Sequence, residues 1–274
     1  MILQFHIPPF PLNNYIELVT YYKGYNPPHT IERLLPDGGI DLIIDLTSSP
    51  KHIYDNDSLQ EIQVCKNAWI SGMRTEYISI QARADESEMM VIRFRPGTAW
   101  SFLHMPVLEI KDKVVDAELI FGKELLSFRE ALLEALTPGL KFAIAENYLL
   151  KRIKNHFEIH PAVSYCITRI NGNPSQTSIK DITHKTGYTN KHLISLFGKY
   201  AGIGPKQYIK VLKFQQAVLS LEKDPGHISW SSLALDCGYY DQAHFINEFK
   251  RFSGFNPSAY MEVKGDYVNY IPVR

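Results

Sequence analysis

The chain has 274 residues, 45% hydrophobic and 21% charged, with a formal net charge of zero. That composition fills two ordinary cores and excludes a disordered chain, and no stretch approaches the roughly eighteen apolar residues of a membrane-spanning helix. The start, MILQFHIPPF, lacks a basic leader followed by a long apolar run, so a cytoplasmic protein without membrane contact is expected.

Near the start, Tyr15, Tyr21, Tyr22 and Tyr25 form an aromatic cluster suited to a second subunit. Residues Ile31 to Leu46 read as two extended runs around Pro36 to Gly39, a hairpin signal. Further strands are expected at Glu61 to Ile70, Glu76 to Arg83 and Met89 to Phe94, giving a mostly antiparallel β-rich domain. From Gly97 the pattern turns helical, with apolar residues spaced by three and four over Leu119 to Leu136 and Gly139 to Lys154.

Trp69, Tyr77, Phe94, Trp100 and Phe102 either line a ligand cavity or fill a core. Arg74, Arg93 and Arg95 either clamp a carboxylate or phosphate or pair with Asp37, Asp41 and Asp45. Trp69, Arg74, Arg93 and Arg95 are therefore the candidate ligand-binding residues. His156 and His160 have a metal-ligand spacing, but Pro161 follows and no third ligand is evident; neither a metal nor a cofactor is expected. Cys65, Cys166 and Cys237, odd in number and scattered, read as buried thiols.

The C-terminal part contains a repeat. FGKYAGIGPKQYI (Phe197 to Ile209) aligns with FKRFSGFNPSAYM (Phe249 to Met261); Gly187-Tyr188 matches Gly238-Tyr239, and the second copy has one extra residue after that pair. In each copy an apolar pair three residues apart, Ile179 and Ile182 or Trp230 and Leu233, precedes a glycine suited to ending a helix. Thr189-Asn190 or Asp241-Gln242 then caps a second helix, whose apolar residues repeat at i and i+4: Leu193 and Phe197, Phe245 and Phe249. The unit is helix, tight turn, helix. Between the copies, Pro205 to Leu221 reads as one long helix, broken by Asp224-Pro225-Gly226.

These residues carry a specific resemblance. LALDCGYYDQAHFINEFKRFSGFNPSAY (Leu233 to Tyr260) is similar, along its whole length, to the signature of the AraC/XylS transcription regulators, and residues 160 to 261 resemble their paired helix-turn-helix domain. The chain departs from the family pattern at Thr183, where a small alanine is usual, and at Met261, where arginine is common. LPDGGIDLIIDL, WISGMRTEYI and VIRFRPGTAWSFLHMPVLEI resemble an uncharacterised sensor-type domain found at the front of some AraC-like regulators. The expected fold class is α+β: a β-rich domain with following helices over residues 1–155, then an all-α domain over 156–274 with two helix-turn-helix units joined by a long helix. The charge divides accordingly, with 16 Lys and Arg against 20 Asp and Glu in the first part and 13 against 9 in the second.

The resemblance implies sequence-specific binding of double-stranded DNA, with contact to RNA polymerase. The outward positions of the first recognition helix are Asn190, Lys191, Ile194 and Ser195; those of the second are Gln242, Ala243, Ile246 and Asn247. Lysine can donate to guanine, the amides can pair with adenine, and isoleucine can touch a thymine methyl or else pack on its neighbours. Lys199, Lys206, Lys250 and Arg251 are the candidate phosphate contacts. No GxSxG, phosphate-cradling glycine loop or HExxH is present, so an enzyme is not expected. The N-terminal domain then binds a small-molecule effector, mediates a homodimer or another protein contact, or is an enzyme-like domain fused to the DNA-binding module. The helices at 121 to 154 are the expected coupling element.

Overall fold

A computed structural model describes residues 1–84, 86–153, 160–223 and 229–273. Alternating apolar residues build a first antiparallel sheet from β1 (Ile2–His6), β2 (Ile16–Lys23), β4 (Ile40–Asp45), β7 (Ala68–Ser71), β9 (Glu88–Phe94) and β10 (Val114–Asp116), in the order β1-β2-β9-β4-β7-β10. A second comprises β3 (Ile31–Leu34), β5 (Lys51–Tyr54), β6 (Glu61–Cys65), β8 (Ile78–Gln81) and β11 (Tyr270–Val273), in the order β11-β3-β8-β5-β6. Ile53, Cys65 and Ile78 of the second sheet pack with Trp69 and Val114 of the first.

Helices follow. α1 (Trp100–Leu103) leads into a 3-10 turn at Val107–Ile110, and then come α2 (Glu118–Phe121), α3 (Glu124–Glu134) and α4 (Pro138–Arg152). The C-terminal module is α5 (Pro161–Gly172), α6 (Ile179–Thr186), α7 (Asn190–Ala201), α8 (Pro205–Lys223), α9 (Trp230–Asp236), α10 (Gln242–Ser253) and α11 (Pro257–Val263). None of the described helices is long and apolar enough to cross a membrane.

The expected α+β architecture is present, with four local corrections. The Pro36 to Gly39 turn does not close a hairpin. Asp37 Oδ1 accepts from the Gly39 amide (2.9 Å) and Gly38 takes φ +83°, but the turn carries the chain from β3 in one sheet to β4 in the other. The expected strand at 61–70 is two strands in different sheets, because Asn67 turns the backbone at φ +58°. The expected helix at 119–136 breaks at Gly122 (φ +70°) into α2 and α3. Finally, β11 pairs antiparallel with β3, so the C-terminal residues of the second half complete a sheet of the first. The expected break at Asp224 to Gly226, as well as Lys154 and His156, lie outside the described residues.

One apolar core runs through both halves. Helix α8 is its axis: Tyr208, Val211, Phe214, Ala217, Val218 and Leu221 are buried at 1% exposure or less. Tyr208 meets Phe197 of α7, with ring centroids 5.6 Å apart, and Phe214 meets Phe249 and Phe252 of α10, each at 5.1 Å. The side-chain amide of Gln215 donates to the Pro36 carbonyl oxygen (2.9 Å) and to Asn269 Oδ1 (2.8 Å), tying the same helix to the β-rich domain and to the turn that precedes β11. A Leu212 methyl and the Tyr208 ring each lie 3.4 Å from where a Cβ on Gly38 would stand. Truncating Phe214 to alanine removes the ring shared by α8 and α10 and is expected to cost about 3–5 kcal/mol, read as a lowered urea midpoint.

Candidate nucleic-acid interface

Each helix-turn-helix unit is set by a glycine and a cap. In the first, Gly187 ends α6 at φ +72° and Thr189 Oγ1 accepts from the His192 amide (3.2 Å) at the start of α7. In the second, Gly238 takes φ +75°, and Asp241 Oδ1 accepts from the His244 amide (2.7 Å) at the start of α10. The extra residue of the second copy lengthens this turn and leaves Tyr240 exposed. Leu193, Phe197, Phe245 and Phe249 are fully buried, which fixes the opposite faces of α7 and α10 outward.

On those faces Asn190, Lys191, Ser195, Gln242, Ala243 and Asn247 are exposed. The two isoleucines differ. Ile194 is 49% exposed and projects into solvent, whereas Ile246 is half-buried and packs on the core. The Gln242 carbonyl oxygen accepts from the Ser231 hydroxyl (2.7 Å), leaving its NH2 group to donate outward. The four candidate phosphate contacts also separate. Lys206 and Lys250 are exposed; Arg251 lies 3.7 Å from Glu248 and over the Phe252 ring; and Lys199 sits 4.8 Å from the Trp100 ring centroid, at the junction with the β-rich domain. A groove of about 710 Å³ lies between the two units, with α8 supplying part of its lining.

The back of α7 rests on the first domain. A Cβ on Gly198 would contact Leu108, one on Gly202 would stand 3.1 Å from Val107 and 3.3 Å from Met73, and Trp100 packs on Tyr200 at 5.3 Å. Arg33 is sandwiched between Tyr77 (4.4 Å) and Phe255 (4.6 Å), holding the end of α10 to β3 and β8. These contacts to α7 come from α1, the 3-10 turn and Met73, which follows β7. Sequence reasoning missed this junction; the exposed Leu108 and the Trp100 and Tyr200 rings carried no periodic signal of their own.

The proposed arginine clamp is not assembled. Arg93 pairs with Asp37 (2.6 Å) and Asp41 (2.8 Å), which hold its proton well above the usual range, and Arg95 Nε donates to the Asn13 carbonyl (2.6 Å). Arg74 is buried, with its Nε and Nη2 unpartnered, and burial pushes its pKa down to about 10. None of Trp69, Arg74, Arg93 and Arg95 lines the groove above or a second cavity of about 610 Å³ between α3 and α4. Phe94 and Phe102 are core residues, while Trp100 and Tyr77 face the junction. The tyrosine cluster is satisfied within the fold, with Tyr21 donating to Glu88, Tyr22 to Met89 Sδ and Tyr25 to Glu32.

His160 Nδ1 accepts from the Ala162 amide (3.3 Å), and its Nε2 lies 3.5 Å from the Tyr188 hydroxyl. Among the described residues no group of three His, Cys, Asp or Glu is placed to hold a metal. The three thiols are free and buried, and burial pushes Cys65 and Cys166 up to about 12 and Cys237 up to about 11.

The family model described as "Helix-turn-helix domain" matches residues 175–262, the span of α6 through α11 and the turns that set α7 and α10. The chain carries an AraC-type helix-turn-helix domain. Residues 4–116 match "Domain of unknown function (DUF6597)". The AraC-type domain places the chain near the raffinose operon transcriptional regulatory protein RafR of Pediococcus pentosaceus, 27% identical over 114 residues, 42% of this chain and 39% of that protein. It is also similar to the HTH-type transcriptional activator AarP of Providencia stuartii, 29% identical over 99 residues, 36% of this chain and 72% of that one. The match thus spans well under half the length of RafR. ToxT of Vibrio cholerae superposes on 89% of this chain and 97% of its own at 12% identity and a TM-score of 0.46. Replacing Thr189 or Asp241 by alanine is expected to cost about 1 kcal/mol each through the lost cap, measured by urea titration followed by circular dichroism.

Proposed function

We propose that the protein is a sequence-specific, DNA-binding transcription regulator whose two recognition helices, α7 and α10, enter successive major-groove segments. The observation that carries this reading is the pair of exposed, mostly polar helix faces, each fixed outward by a buried apolar stripe and both anchored to one helix, α8. The 19-residue α8 packs against both units and so fixes the separation of their recognition helices, as reading two major-groove segments about 34 Å apart on one DNA face requires. Asn190, Lys191, Ile194 and Ser195 read one segment, and Gln242, Ala243, Ile246 and Asn247 the other. Lys206, Lys250 and Arg251 supply phosphate contacts; Lys199 joins them when its hold on Trp100 is released.

The β-rich domain acts as the regulatory part. Its α1 and 3-10 turn rest directly on the back of α7, so a ligand that favours one position of that turn biases the recognition helix by its difference in affinity for the two positions. A small-molecule effector, a second copy of the chain and RNA polymerase are the partners this reading carries. It is preferred to an enzymatic role for the domain because α1 and the 3-10 turn touch a helix of the helix-turn-helix module directly.

The 274-residue chain is expected to enrich two short motifs about one helical turn apart from a random-sequence duplex library. Inserting five base pairs between them turns one motif to the opposite face and should lower affinity at least tenfold in a gel-shift titration; unchanged affinity would refute the spacing. Asn190→Ala and Asn247→Ala are each expected to cost about 1–3 kcal/mol and relax base preference at one motif only.

A further inference from the structure

The groove between the two units gathers four of the thirteen Lys and Arg residues of 156–274: Lys180 on α6, and Lys206, Lys210 and Lys213 on α8. Asn190, at the start of recognition helix α7, lines one side, and His244 and Glu248 of recognition helix α10 line the other. A duplex contacted by both helices passes over it. Asn190 and His244, from the first turns of these two 12-residue helices, both line it, and the Thr189 and Asp241 side chains cap the helix ends.

The four lysines are not equivalent. Lys213 Nζ donates to the Gly238 carbonyl oxygen (2.7 Å), and burial lowers its pKa, so it braces the turn of the second unit. Lys180 and Lys206 are exposed. Lys210 is held 3.0 Å from Glu248 with its side chain 45% exposed, which orients the ammonium while leaving donors free. Among the described lining residues Glu248 is the single carboxylate against four lysines, and it is already shared between Lys210 and Arg251, so the lining carries an excess of positive charge.

We propose that this groove seats the phosphodiester backbone running between the two recognised major-groove segments, with Lys180, Lys206 and Lys210 as its phosphate ligands and Glu248 as the positioning residue for Lys210. The proposal rests on the DNA-binding reading above and adds Lys180, Lys210 and a location on the duplex to it.

The test uses the 274-residue chain and a duplex it has enriched from a random library. Lys180→Gln and Lys210→Gln are each expected to reduce the slope of log affinity against log salt by about 1, with base preference unchanged. Ethylating phosphates between the two motifs is expected to block binding by the unsubstituted protein, a readout that needs no variant to fold. Selective binding with unaltered salt slopes and tolerance of ethylation between the motifs would overturn the proposal while leaving the regulator reading intact. Interference confined to phosphates outside that segment would overturn the placement. Failure to enrich any duplex would sink both readings.

Discussion

The packing of α8 on three sides is the constraint from which the rest of the arrangement follows. Its Tyr208 face takes Phe197 of the first helix-turn-helix unit, Phe214 takes the Phe249 and Phe252 rings of the second, and Gln215 reaches across to Pro36 and Asn269. A helix buried against three bodies cannot bend toward one without opening contacts to another, because packed interiors leave little free volume. The two recognition helices are consequently held in one register, and each exposes a polar face that makes few internal contacts.

The same packing joins the β-rich domain to the helix-turn-helix module. The β-rich domain does not hang from a linker: Val107, Leu108 and Met73 press on the glycines at the end of α7, Arg33 is stacked between Tyr77 and Phe255, and β11 returns from the end of the chain to the edge of the second sheet. The 3-10 turn at Val107–Ile110 is in direct contact with the last turn of α7, with no intervening element. Lys199 marks the junction, since it belongs to α7 and its ammonium lies over the Trp100 ring of α1.

The repeated unit was legible because its signals are local. The i, i+4 stripes Leu193 and Phe197 or Phe245 and Phe249, the left-handed glycines and the side-chain caps all act within one or two turns of chain, and the structure places them as their spacing implies. The β-rich domain was less legible because strand pairing is a long-range choice. Pro36 to Gly39 has the chemistry of a hairpin turn, yet whether β3 and β4 share a sheet depends on β8 and β9, some forty to fifty residues later. On β2, Tyr21 is buried and donates to Glu88 while the half-buried Tyr22 donates to Met89 Sδ, partners that come from β9, some sixty-seven residues later in the chain. β11 had no legible partner at all, because β3 lies more than two hundred residues upstream. For the arginines, the acidic neighbours Asp37 and Asp41 were visible in the sequence, and the choice between clamp and ion pair turned on which face of β9 and β4 they share.

The measurement that tests the central claim most directly is the distance between the two helix-turn-helix units, by pulsed spin-label spectroscopy on the 274-residue chain labelled at Lys185→Cys and Leu235→Cys. Both positions are exposed and the three native thiols are buried, which directs the label to the introduced sites. A single narrow distribution that stays in place when the enriched duplex is added is the expected result. A broad distribution, or one that moves on binding DNA, would contradict a rigid spacing set by α8.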